Sequence, residues 1–372
     1  MSKTTKLKKG LRSRSYPQAL SFFGKERQFL GFIVVMFIVA AISAPFPQIA
    51  MWVGFAVAGY SAIANDSIQT IGTFIASNMT QKWWVLWLYI GGIFLVTVST
   101  SWYLFDGDVS FQRLTSKGFA QAPQSFTFLQ IAAPIFLLIL TRLGMPVSTT
   151  FLILSCFATD SSAITSVLNK SVSAYLLAFI VSFVIFIAIH GITKRMFQQK
   201  EAHPMWMPIQ WVTSGSLWAV WIMQDAANIA VYLPRSLSLG QFVAFATFIF
   251  LGLGILFYLR GDKIQRIVTE KSNITDVRAA TIVDFIYMSL LVYKLTVSTI
   301  PMSTTWVFIG LLGGRELAIS IKKHWVKGRS KLPVTLKVIS RDLVYAGFGL
   351  LVSLLLAMSI NPVIREEVLS YF

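Results

Sequence analysis

GMPVSTTF occupies residues 144–151 and IPMSTTWV occupies residues 300–307, and each interrupts a long apolar stretch with a proline followed by three hydroxyl side chains. A single hydroxyl in a membrane helix can back-bond to its own preceding turn. Two copies of Pro-x-Ser-Thr-Thr, with Ser148 and Ser303 standing 155 positions apart, need a further reason, because polar groups placed in lipid are expensive and mark function.

The chain has 372 residues, 55% of them hydrophobic and 13% charged, against roughly 25% charged in soluble domains. Apolar runs long enough to cross lipid recur along its length, so helices that satisfy their own backbones are expected. Full crossings are expected near 28–47, 49–78, 82–104, 171–190, 209–233, 239–259 and 342–360. Two further regions, 124–160 and 280–320, carry the hydroxyl triplets. Each is either a pair of spans or a re-entrant hairpin, and half-helices meeting at a polar tip favour the hairpin.

Charge sets the threading. With the N-terminus inside, the segments 1–27, 79–82, 191–208, 260–279 and 321–341 carry 24 Lys or Arg, and 105–123, 160–170, 234–238 and 361–372 carry 5. The rule that inside loops are basic therefore predicts a multi-pass protein with a cytoplasmic N-terminus and an outside C-terminus, and the cytoplasmic (inner) membrane is its expected location. It also accounts for the net charge of +17 without nucleic acid.

A second pair of polar patches breaks the spans, Ala64-Asn65-Asp66-Ser67-Ile68-Gln69 and Met223-Gln224-Asp225-Ala226-Ala227-Asn228. The aspartates are 159 positions apart, nearly the spacing of the triplets. Each half thus presents an aspartate-bearing helix, another helix, then a hydroxyl-tipped hairpin, and the charge-derived threading runs the two halves in opposite directions. The expected architecture is an all-α integral membrane protein, an inverted-repeat transporter with about seven full spans plus two re-entrant helical hairpins. Its parts are a basic arm 1–27, a first repeat 28–190, a linker 191–208, a second repeat 209–360 and a tail 361–372.

Pro146 and Pro301 are expected at the first helical position, with Ser148, Thr149, Thr150 and Ser303, Thr304, Thr305 in the first turn. Free N–H groups and the helix dipole there favour an anion. Two such tips meeting would cage a tetrahedral oxyanion. Asn65 with Gln69, and Gln224 with Asn228, are four apart beside Asp66 and Asp225. Carboxylate and amide oxygens suit sodium, or protons if the carboxyls are desolvated. Arg142, four residues before the first tip, is a candidate to neutralise the anion. Lys294 and Arg315 are less specific, and Arg315 has Glu316 or Asp284 as ordinary ion-pair partners.

Cys156 reads as a small buried hydrophobe, and a single cysteine allows no internal disulfide. His190, His203 and His324 form no metal-ligand spacing, and no nucleophile elbow or phosphate-binding glycine loop is present, so neither an enzyme nor a resident cofactor is expected.

This constellation resembles the PiT family of inorganic phosphate transporters and the related sulfate permeases. That family carries a Gly-Ala-Asn-Asp-type motif in each half and Pro-Val-Ser-Thr-Thr-His at each hairpin. Ala64-Asn65-Asp66 followed by Gly72-Thr73 matches the first, and Pro146–Thr150 and Pro301–Thr305 match the hairpins. The match spans the two repeated cores, about 200 residues. Gln224 stands for the second asparagine, Phe151 and Trp306 for the histidines, and Val231-Tyr232 for a small Gly-Thr type pair. The resemblance implies sodium at the aspartates and amides, phosphate at the Ser-Thr-Thr groups, and a homodimer. Proton-coupled sulfate or thiosulfate permeation on the same fold, and a non-transporting membrane sensor, are the alternatives.

Overall fold

The computed structural model describes residues 18–116, 118–143, 145, 147–198, 201–259, 276–327 and 332–370. These form α1 (Gln18–Ser43), α2 (Pro47–Ser61), α3 (Ser67–Ser77), α4 (Trp83–Leu104), α5 (Phe128–Arg142), α6 (Ser161–Ala188), α7 (His190–Gln198), α8 (Trp206–Ala230) and α9 (Leu239–Tyr258). After the linking segment come α10 (Val277–Val297), α11 (Thr304–Lys327), α12 (Leu332–Ile360) and α13 (Pro362–Leu369). The architecture is all-helical, and no strand occurs among the described residues. Residues 1–17 of the basic arm lie outside them; α7 occupies the linker and α13 the tail.

Six helical stretches among the described residues are long and apolar enough to cross a membrane, 47–66, 83–104, 162–188, 239–258, 277–297 and 332–360. α8 has the length, with 25 residues, but Gln224, Asp225 and Asn228 dilute its hydropathy. Two elements begin ten residues before the expected spans, α6 at Ser161 and α12 at Leu332, because polar opening turns conceal them from a hydropathy window.

The two interrupted regions differ. In the first, α5 has 15 residues, about 22 Å, and the return through 149–157 is shorter still, so neither arm reaches across about 30 Å of hydrocarbon. Gln130 Nε2, at the start of α5, donates to the Cys156 carbonyl at 3.1 Å, so the chain returns to the level at which it set out. This is a re-entrant hairpin. In the second, the arms are α10 with 21 residues and α11 with 24, long enough to cross.

Local sequence sets these limits. Thr127 and Gln130 make a reciprocal capping box that starts α5, and Ser238 and Gln241 do the same for α9. Pro134 inside α5 deprives the Gln130 carbonyl of its helical donor. The Tyr232 hydroxyl supplies the replacement at 2.7 Å. Tyr232 is fully buried and needs Gly54 opposite it, since a Cβ there would stand 2.3 Å from its ring. α6 and α11 meet backbone to backbone through Gly310 and Gly314, where added Cβ atoms would lie 2.5 Å from the Tyr175 oxygen and 2.2 Å from the Phe179 oxygen. The 105–127 segment is tied to 231–238 by Leu237 N–H to the Gly107 carbonyl, 2.9 Å, and by Arg235 to the Phe119 and Gln121 carbonyls.

Candidate functional site: two aspartate half-sites beneath two hydroxyl tips

Asp66 ends a single π-helical turn, Ala62–Asp66, that separates α2 from α3, and it is 2% exposed. Its Oδ1 accepts Asn65 Nδ2 at 2.7 Å, and its Oδ2 accepts the Thr149 hydroxyl. Asn65 Oδ1 in turn accepts the Thr141 hydroxyl of α5 at 3.0 Å. Asp225, 3% exposed in α8, is built the same way. Its Oδ1 accepts Asn228 Nδ2 at 3.0 Å, and its Oδ2 accepts the Thr304 hydroxyl. Thr304 also accepts Trp221 Nε1 at 3.2 Å, and its carbonyl accepts the Tyr287 hydroxyl at 3.0 Å. The middle residue of each triplet therefore touches the aspartate of its own half.

Ser148 Oγ accepts the Phe151 N–H at 3.3 Å, and Ser303 Oγ accepts the Trp306 N–H at 3.2 Å. Each serine is thus the N-cap of its return helix. This corrects the expected position of Pro301, which precedes the cap instead of taking the first helical position; α11 starts at Thr304. Pro146 lies outside the described residues. The serine caps use only the oxygen as acceptor, so each hydroxyl proton stays free to donate.

The two tips meet. Thr150 donates to the Met302 carbonyl at 3.1 Å and accepts Asn228 Nδ2 at 3.3 Å, which carries it across to the other half. Phe151 and Trp306, the residues that follow each triplet, pack with ring centroids 5.5 Å apart. Thr305 is buried in the same region. Asp66 and Asp225 lie within electrostatic range of each other.

Several buried polar atoms here have no partner: Gln69 Oε1, Asn228 Oδ1, and both Oε1 and Nε2 of Gln224. An orphaned buried acceptor costs about 1–3 kcal/mol. Three of these atoms are amide oxygens, one in the first aspartate patch and two in the second, and amide oxygens are a donor type that hard cations accept. Gln69 itself is half-buried.

Among the described residues no hydrogen bond joins Arg142 to the triplets. Its guanidinium lies over the Phe29 ring of α1, 5.0 Å from the centroid. Arg315 pairs with Glu316 at 2.6 Å, and Lys294 donates to Ser173 Oγ at 2.9 Å. Asp284, read from sequence only as a possible ion-pair partner, is buried in α10 and accepts Thr73 at 2.8 Å and Ser214 at 2.5 Å. Ser214 continues through Gln210 to Asn78. An acidic residue in an apolar run was the available signal for it. Thr141, Trp221 and Tyr287 had none, since each acts by spatial proximity alone.

No protein-family model matches the sequence, and no curated protein does. Among solved structures, one described as "The sodium-dependent phosphate transporter" matches with a TM-score of 0.54 and 18% identity, over 90% of this chain and 99% of that one. The chain is an all-helical, multi-pass membrane protein with the fold of that phosphate transporter, in a divergent sequence.

Proposed function

We propose that the protein is a secondary transporter that carries inorganic phosphate, or a similar tetrahedral oxyanion, together with sodium. The observation that carries this reading is the doubled unit, a buried aspartate bonded to the middle hydroxyl of a capped triplet, with the two triplets in contact. Asn65, Asp66 and Gln69 would hold one cation, and Gln224, Asp225 and Asn228 another. The unpartnered amide oxygens support those assignments.

The hydroxyls divide the work. Thr149 and Thr304 donate to the carboxylates, which leaves Ser148, Ser303 and Thr305 as the donors toward an anion. Among the described residues no Arg or Lys is bonded to a triplet hydroxyl, so the two buried carboxylates repel an anion at the triplets until cations fill their sites, and this couples the two cargoes. Arg142 is not needed in that balance. The halves 28–190 and 209–360 act as inverted repeats in this reading, in the cytoplasmic membrane with the N-terminus inside and as a homodimer. Opposite approach of the two tips is supported by their neighbours: Arg142 of the first tip stacks on Phe29 beside the basic arm, whereas the second tip is bonded by Arg113 of the 105–127 segment.

The full chain reconstituted in vesicles should take up labelled phosphate when sodium is high outside, and should lose that uptake when potassium replaces sodium. Uptake driven equally by a proton gradient, or competed more strongly by sulfate than by phosphate, would reassign the cargo. Binding of phosphate without any flux would make the protein a sensor and overturn the transport reading.

A further inference from the structure

The second tip is gripped by cationic side chains that its Thr304–Asp225 unit does not use. Arg113 donates from Nη1 to the Ser298 carbonyl at 2.5 Å, from Nη2 to Leu295 at 3.4 Å, and from Nε to Met223 at 3.4 Å, two residues before Asp225. Lys170 of α6 donates from Nζ to the same Ser298 oxygen at 2.9 Å, and also to the Ile300 carbonyl. Lys294, near the end of α10, reaches Ser173, one turn along α6 from Lys170. Lys170 lies within electrostatic range of both Arg113 and Lys294.

Arg113 is 2% exposed, and Lys170 and Lys294 are half-buried. Among the described residues none of the three forms an ion pair with a carboxylate. Burial alone pulls the Arg113 guanidinium down to about 10. Two cations sharing one carbonyl oxygen stand within about 5 Å of each other, where like charges repel strongly away from bulk water. Capping of α10 explains one of them, because a helix C-terminus supplies only about half a negative charge. A surplus of positive charge therefore remains beside the tip that leads to Ser303–Thr305.

We propose that Arg113, Lys170 and Lys294 form an approach subsite for a doubly charged tetrahedral oxyanion, inorganic phosphate or sulfate, on the side of the second tip that faces the 105–127 segment. The anion bound there competes with the Ser298 and Ile300 carbonyls for the Lys170 ammonium, which loosens the tip as the anion moves on to Ser303. The inference rests on the reading of the second tip as half of an oxyanion site.

Two measurements test it. In the purified full chain in detergent, acetic anhydride should acylate Lys170 and Lys294 several-fold more slowly in phosphate or sulfate than in chloride of equal ionic strength, as read by peptide mass spectrometry. In vesicles, Lys170→Gln should raise the half-saturating phosphate concentration about tenfold, the worth of one charge-assisted hydrogen bond, and Lys170→Arg should restore it. Absence of anion protection in the wild-type chain overturns the subsite whether or not phosphate is transported. Protection without sodium-driven uptake keeps the subsite and overturns the transport reading. Protection with an unchanged half-saturation in Lys170→Gln overturns its place on the path.

Discussion

The two hydroxyl tips carry the same chemistry on unlike scaffolds. In the first, the return from the tip is a π turn over Thr150–Leu154 followed by a 3-10 turn over Ser155–Phe157, and Asn361, just past the end of α12, donates to the Ala158 carbonyl at 2.6 Å. In the second, the return is the regular α11, locked to α6 by Gly310 and Gly314. Yet Thr149 and Thr304 reach their aspartates alike, and Ser148 and Ser303 cap alike. Side-chain geometry at the tips has kept its symmetry while the backbones that deliver it have not. The pairing of hydroxyl and carboxylate is thus the constrained quantity, and helix length is free to vary around it.

The sharpest way to break the comparison is to remove one carboxylate at a time. Asp66→Asn and Asp225→Asn should each reduce sodium-driven phosphate uptake more than about 100-fold, since the proposed cycle needs both cations released and rebound. Uptake surviving in either variant would show that the halves are not equivalent. Next in size, Gly314→Val should destabilise the folded chain by about 3 kcal/mol, read as a lowered melting temperature in detergent. Gly313→Ala, whose Cβ would stand 3.3 Å from the Phe179 ring, should be tolerated.

A third pair of variants compares the middle threonines directly. Thr149→Val and Thr304→Val should both weaken apparent sodium affinity, by about tenfold for a hydrogen bond to a charged group. Thr304→Val should be the worse of the two, because it also strands Trp221 Nε1. Smallest is Tyr232→Phe, which should cost about 1 kcal/mol by leaving the Gln130 carbonyl without its donor.

Much of this was legible in the sequence. Hydropathy and charge gave the helical membrane class, and the repeated polar patches picked out both aspartates and both triplets. What they could not give follows from physical causes. Helix spacing assumes a regular turn, and the π turn at Ala62–Asp66 breaks that assumption where Asn65 reaches Thr141. Arg142 lies four residues from the first tip in sequence, but its long side chain follows an aromatic face on α1 instead. Arg113 and Lys170 entered only as loop charges, because a bond to a distant backbone carbonyl leaves no mark in composition.

Thr150 belongs to the first triplet, yet its hydroxyl is bonded to Asn228 and to Met302 of the second half. If ions fill the half-sites as proposed, that single hydroxyl links their affinities. An ion that turns the Asn228 amide toward itself must also disturb Thr150, so it changes affinity in the first half. By reciprocity, filling the first half changes affinity in the second by the same factor. Titrations of the two sites are therefore expected to be cooperative, and Thr150→Val should weaken that coupling to the electrostatic part between Asp66 and Asp225.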